Sequence, residues 1–223
     1  MIITAISDLH NRLDVLEAIL HDAPGNDVIV FPGDLTHFGT AADAECIVKE
    51  AQRRSAYVFA VAGNCDNAGV EATLEAMGVS ISGRGVRVGE VGFFGASGIP
   101  PWRGSMYCFS EKEILTRLEV GAAAIADCPL RIAVTHVPPY GTRLDRLWLG
   151  NHAGSHAVRE IVETEQPLLL LCGHIHEAQG VERMGRTSVV NCGAAKAGHF
   201  ARIEIDPSAA EPASIIHIEF RRV

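Results

Sequence analysis

Short apolar runs of strand length alternate along this chain with stretches in which apolar residues recur at helical spacing, the pattern of an α/β protein. Ile2 to Ile6 reads as a first strand; Leu13, Leu16, Ala18, Ile19 and Leu20 then mark a helix from Arg12 to Asp22, stopped by Pro24 and Gly25. Strand Val28 to Phe31, helix Ala41 to Arg54, strand Tyr57 to Ala62 and a helix from about Val70 to Met77 continue the alternation. Gly83 to Gly98, rich in Val, Phe and Gly, reads as a hairpin and not another crossover. Helix Ser110 to Ala126, strand Arg131 to Thr135, helix Ser155 to Thr164 and strand Leu168 to Cys172 repeat the pattern. The last runs, Gly180 to Met184, Thr187 to Asn191, Ala201 to Ile205 and Ile215 to Phe220, read as antiparallel strands closing the sheet. No linker, low-complexity tract or fixed-period repeat interrupts residues 1–223, which predicts a single domain built from two sheet-forming halves.

Composition changes this picture little. With 48% apolar and 21% charged residues, the chain is neither disordered, collagen-like nor a coiled coil. A domain of 223 residues buries a full core without disulfides. The nearest two of its six cysteines, Cys46 and Cys65, are too far apart for a C-x-x-C pair. Reduced thiols in the cytoplasm are expected. Met1 to Ser7 is apolar, but it lacks a basic segment and meets Asp8 too early for a signal peptide or a spanning helix. A net charge of −8 opposes nonspecific attraction to nucleic acid or an anionic membrane, so an anionic substrate needs local positive charge.

What ends each strand carries the chemistry. In order, the apolar runs stop at Asp8-Leu9-His10, Gly33-Asp34, Gly63-Asn64, Thr135-His136 and Gly173-His174-Ile175-His176. In an open α/β sheet the ligand crevice lies beyond the carboxyl ends of the strands, so these residues can meet although they span most of the chain. Any one is ordinary: Gly-Asp after a strand is usually a turn, and His-x-His can be a surface pair. All five together are not. Asp8, Asp34, Asn64, His10, His136, His174 and His176 offer two carboxylates, one amide oxygen and four imidazoles. That is more than one ion uses, and suits two divalent ions sharing a carboxylate, roughly 3.5 to 4 Å apart, the device for in-line displacement at phosphorus. Two such ions, set against two aspartates and a bridging hydroxide, retain net positive charge.

In this order the motifs D-x-H, G-D, G-N-x-D, T-H-x-P-P and G-H-x-H, from Asp8 to His176, resemble those of the calcineurin-like metallophosphoesterase superfamily. The resemblance implies a four-layer α/β/β/α sandwich with a dimetal site at one edge of the paired sheets. It also implies one metal held by Asp8, His10, Asp34 and His176 and a second by Asp34, Asn64, His136 and His174, with Asp34 as the bridge and a metal-bridging hydroxide as the nucleophile. Manganese leads the choice of metal, ahead of iron, zinc, nickel or cobalt. The chain departs from the family's frequent G-N-H-D at Gly63-Asn64-Cys65-Asp66, where the resemblance gives that histidine a catalytic role beside Asn64. A neutral thiol is a weak donor, so acidic leaving groups such as those of aryl phosphodiesters are expected. Cys65 is read either as a catalytic residue or as a small filler beside the metals.

Further candidates are weaker. His37 can touch phosphate or orient a metal ligand, and equally suits an exposed turn. His152 precedes the Ser155 helix, whose N-terminal amides favour an anion, although Ser155 reads better as an N-cap. His21, His156 and His217 read as solvated or satisfied; His199 and Lys196 fall in or near a loop at the same edge but carry no assignment. Two loops, Pro100 to Phe109 and Pro138 to Leu149, carry Trp102, Met106, Tyr107, Tyr140, Leu144, Leu147 and Trp148, which pack underneath, wall a pocket or meet another subunit of a homo-oligomer. Arg103, Arg143 and Arg146 there bind a second phosphate or face solvent. No phosphate loop, dinucleotide fingerprint or nucleophile elbow is present. The expected function is a dinuclear phosphoesterase acting on a small phosphate ester, a phosphodiesterase above a monoesterase. The alternatives are a non-catalytic scaffold of the same fold, or a nuclease, which would want a basic groove.

Overall fold

The computed structural model describes residues 1–101, 106–206 and 216–223. In chain order its elements are β1 (Ile2–Ala5), α1 (Leu13–Asp22), β2 (Val28–Pro32), α2 (Ala41–Gln52), β3 (Tyr57–Val61), α3 (Ala68–Ala76), β4 (Gly85–Val88), β5 (Val91–Ala96), α4 (Glu111–Ala123), β6 (Leu130–Thr135), α5 (His156–Glu165), β7 (Leu169–Cys172), β8 (Gly180–Met184), β9 (Thr187–Asn191), β10 (His199–Ile205) and β11 (Ile216–Arg222). Single 3-10 turns lie at His176–Ala178 and Ala195–Ala197. The strands form two sheets, one in the order β11-β10-β1-β2-β3, the other β4-β5-β6-β7-β9-β8.

The period of two along each strand builds the layers. Val28 and Val30 of β2 face inward while Ile29 and Phe31 meet the helices; Ile132 and Val134 of β6 face inward while Ala133 faces out. The inner side chains of both sheets share one core, in which Phe59 of β3 meets Phe93 of β5 at a ring separation of 4.9 Å. Outside the first sheet Leu16, Ile19, Ile47, Val48, Val70 and Leu74 pack from α1 to α3. Ile114, Leu118, Val158, Ile161 and Val162 cover the second sheet from α4 and α5. The result is the four-layer α/β/β/α sandwich.

Three departures from the sequence pattern have local causes. β9 is not antiparallel to its inner neighbour: it runs parallel to β7 and pairs antiparallel only with β8. The last two strands do not join that sheet at all, since β10 pairs antiparallel with β1 and β11 with β10, both in the first sheet. Helix α3 begins earlier than its apolar period, because Asn67 caps it by accepting from the Gly69 and Val70 amides. Trp102, Arg103 and Ile215 lie outside the described residues. Among those described, no helix is long and apolar enough to cross a membrane.

Candidate metal centre

β1, β2, β3, β6 and β7 all point their carboxyl ends to one edge, and the polar residues after them meet there. Asp8, His10, Asn11, Asp34 and His174 have positive φ, between 49° and 67°, a backbone conformation that costs about 1 kcal/mol or more per residue and persists only where surrounding contacts enforce it. Those contacts are visible. The Asp8 amide donates to Gly33 O (3.1 Å) and the His10 amide to Asp34 O (3.0 Å), joining the first two loops. Gly63 and Gly173 let the chain pass against the carboxylates: a Cβ on Gly63 would strike the Asp34 side chain, and one on Gly173 would strike Ser7 and Asp8.

Asp34 lies at the centre. Its Oδ2 is 3.7 Å from His10 Nε2 and its Oδ1 is 3.5 Å from His136 Nε2, so its two oxygens face two different imidazoles. The Cys65 amide donates to Oδ1 (2.7 Å). Asp8 Oδ1 faces His176 Nε2 (3.1 Å) and His10 Nε2 (3.9 Å), while its Oδ2 accepts from Ser7 Oγ (2.8 Å) and the His174 amide (3.0 Å). His136 is fully buried; its Nδ1 donates to Pro32 O (2.9 Å), which leaves Nε2 facing Asn64 Oδ1 (2.9 Å) as well as Asp34. The rings of His136 and His174 stand edge to face at 5.0 Å.

This donor set fits divalent cations. In a neutral His136 ring whose Nδ1 is the donor, the Nε2 lone pair points at two oxygens that also carry lone pairs, an arrangement a cation resolves. His10 Nε2 is buried with no hydrogen-bond partner, between two carboxylates. Ligand atoms of Asp8, His10 and His176 lie within 4.8 Å of one another, as do those of Asp8, Asp34 and His136. Burial, with Lys196 next, pushes His10 down to about 4, and burial with His136 pushes His174 down to about 3, so both are neutral at pH 7. Burial likewise opposes charge on His136, but Asp34 and Asp8 outweigh it and raise that ring. Asp34 itself is raised, by burial first and then by the negative charge of Asp8 and Asp66.

The remaining candidates separate. His37 Nδ1 lies 3.3 Å from His10 Nδ1, and with Cys65 these two histidines form a third close group, so His37 abuts the His10 ring. Cys65 is buried; Asn64 Nδ2 donates to its Sγ (3.3 Å), and burial, followed by Asp34, pushes its thiol well above the ordinary range. His152 does not serve an anion at the α5 N-terminus. Those amides are taken by Glu111, which accepts from Ser155 Oγ (2.5 Å), His156 N (3.0 Å) and Ala157 N (2.9 Å), while Ser155 caps the helix through Val158 N. His156 stacks on Tyr140 at 4.1 Å, and His199, at the start of β10, is lowered by partial burial and Arg222. Trp148 and Leu149 are 87% and 91% exposed, whereas Leu144 is buried; Arg143 pairs with Glu182.

Four residues that carry no role in the sequence analysis stand at the site. Ser7 bonds Asp8, and the Lys196 amide donates to Asp8 O (3.0 Å). Asp66 accepts from Leu35 N, Thr36 N, Thr36 Oγ1 and Gly63 N, tying the Asp34 loop to the Asn64 loop. It was visible as the last letter of G-N-x-D. Met106, in a loop read as packing or pocket wall, puts Sδ 3.8 Å from Asn64 Nδ2.

Residues 1–178 match the calcineurin-like phosphoesterase family. The chain is 31% identical over 199 residues to the uncharacterized protein MJ1162 of Methanocaldococcus jannaschii, covering 86% of this chain and 87% of that one. Its fold is similar to that of TT1561 of Thermus thermophilus (TM-score 0.76, 20% identity, 99% and 98% of the two chains). A dimetal phosphatase from Danio rerio shares it too (TM-score 0.66, 13% identity, 100% and 96%). With the ordered motifs meeting at one edge of the sandwich, the chain belongs to the calcineurin-like phosphoesterase family, whose members generally hold two divalent metals and hydrolyse phosphate esters.

Proposed function

We propose that this protein is a dinuclear metal-dependent phosphodiesterase of the cytoplasm, with Asp34 as the bridging ligand. The observation that carries the reading is the placement of the Asp34 carboxylate between His10 Nε2 and His136 Nε2, one oxygen toward each. Asp8, His10, Asp34 and His176 would hold one cation, and Asp34, Asn64, His136 and His174 the other. When bound, two divalent cations supply Lewis acidity that activates water and neutralises charge developing on phosphorus. The chain's own groups set the geometry. Pro32 O holds the His136 ring with Nε2 inward, Ser7 holds Asp8, and Asp66 holds the two loops in register.

Mixed imidazole and oxygen donors suit manganese, with iron, zinc, nickel or cobalt as competitors. The Cys65 thiol stays protonated and donates weakly, so esters whose leaving groups need little protonation, such as aryl diesters, are favoured. Six free cysteines support a reducing compartment. Removing the bridge tests the reading. Asp34→Ala is expected to lose bound manganese and at least about a hundredfold in turnover of bis(p-nitrophenyl) phosphate, with the far-ultraviolet circular dichroism retained. Hydrolysis at the wild-type rate would end the assignment.

A further inference from the structure

The loops that leave β5 and β6 at the metal-facing end border a second, open space. It is a cavity of about 100 Å³ lined by Ile99, Pro100, Pro101, His152, Ala153 and Gly154. His152 is not loose there. Its Nδ1 lies 2.7 Å from Oδ1 of Asp145, a fully buried carboxylate that also accepts from the amides of Gly141 (3.0 Å), Thr142 (2.9 Å) and Gly154 (3.0 Å). A carboxylate satisfied by three amide donors acts as an acceptor, so His152 donates to it from Nδ1, and Nε2 is the ring nitrogen left to meet a ligand.

Both walls of the cavity are tied to proposed metal ligands. On one side Gly98 N donates to Ala62 O (2.7 Å), and Tyr107 N, which shares the loop with Ile99, donates to Asn64 O (3.1 Å). On the other, Ser155 N, next to Gly154, donates to Pro138 O (2.9 Å), two residues and about 7 Å of chain beyond His136. With about 100 Å³ of space, and Ile99, Pro100 and Pro101 lining it together with the His152 imidazole, this open pocket suits a small hydroxyl-bearing arm.

We propose that His152, oriented by Asp145, is a specificity residue of the metal centre, and that the substrate is a phosphodiester whose retained substituent, the one that does not leave, is a sugar or polyol. One hydroxyl of the organic substituent donates to His152 Nε2, while Ile99 and the two prolines pack against its carbon face. This rests on the phosphoesterase reading above, and the test keeps the two apart. Manganese-loaded protein is titrated calorimetrically with glycerol 3-phosphate and with methyl phosphate, which carries the same anion without a free hydroxyl. Wild type is expected to bind glycerol 3-phosphate about tenfold more tightly, the worth of one good hydrogen bond. His152→Ala erases that difference, leaving methyl phosphate affinity and manganese content unchanged. Asp145→Asn, which keeps the ring but weakens its anchor, loses a part of it. Equal affinity for both probes in wild type, or equal weakening of both in His152→Ala, overturns the subsite alone. Failure of both probes to bind loaded wild type overturns the phosphoesterase reading with it.

Discussion

Cys65 is where this chain parts from the motif it otherwise follows, and its surroundings decide what the thiol can do. Burial and the Asp34 carboxylate keep the proton on sulfur, and ligand atoms of His10, His37 and Cys65 already crowd within 4.8 Å. A group so placed fills space beside the Asp34 carboxylate and offers one weak hydrogen bond. Cys65→Ala is therefore expected to keep its manganese and to lose less than about threefold in aryl diester turnover, since a thiol hydrogen bond is worth well under 1 kcal/mol. A tenfold loss at full metal occupancy would give the thiol a catalytic part. Cys65→His is the complementary change: turnover of alkyl esters, whose leaving groups need a proton, rises if the imidazole finds room beside His37, and an unchanged rate marks position 65 as a filler.

At the scale of elements, the N-termini of α4 and α5 are joined by one side chain. Glu111, in the first turn of α4, accepts three hydrogen bonds from the start of α5, supplying negative charge to that helix N-terminus as well. Glu111→Ala is expected to cost about 1 to 2 kcal/mol and to lower the Tm by roughly 2 to 8 °C while leaving metal content intact; an unchanged Tm would show that water replaces the carboxylate at no cost. Pairings of this kind were not legible in the sequence. Glu111 and Ser155 are 44 positions apart, and nothing local at either marks the other. Asp145 was hidden for the same reason, as an acid in a loop whose partners only folding supplies. The direction of β9 was equally silent, because a five-residue apolar run alternates alike in either sense, and its parallel partner β7 is reached across the His174 loop. The metal-site candidates were legible because each directly follows an apolar run, so the strand that carries it also aims it.

Taken as a whole molecule, the candidate ligands come from both sheets: Asp8, His10, Asp34 and Asn64 follow strands of the first, and His136, His174 and His176 follow strands of the second. Their crowding at one edge is a burden on the metal-free protein, and pH reads that burden directly. The His10 side chain is only 8% exposed, and its pKa falls from 6.5 to about 4. Between those values the unfolded chain takes up a proton that the folded chain refuses, so the unfolded state gains as pH drops. The stability that depends on a neutral His10 is complete above pH 6.5 and drains as pH falls toward 4. Between pH 7 and pH 5 the loss amounts to about 2 kcal/mol for this one ring, at 1.36 kcal/mol per unit over the 1.5 units below 6.5. The raised Asp34 and His136 act in the opposite sense, so the net slope of the wild type alone does not isolate the effect. Comparison with His10→Asn does. In chelator, urea unfolding of the wild type should lose about 2 kcal/mol more than that variant between pH 7 and pH 5. Parallel curves would mean that the His10 ring titrates in the metal-free fold as it does in the unfolded chain, and that burial does not hold it neutral there.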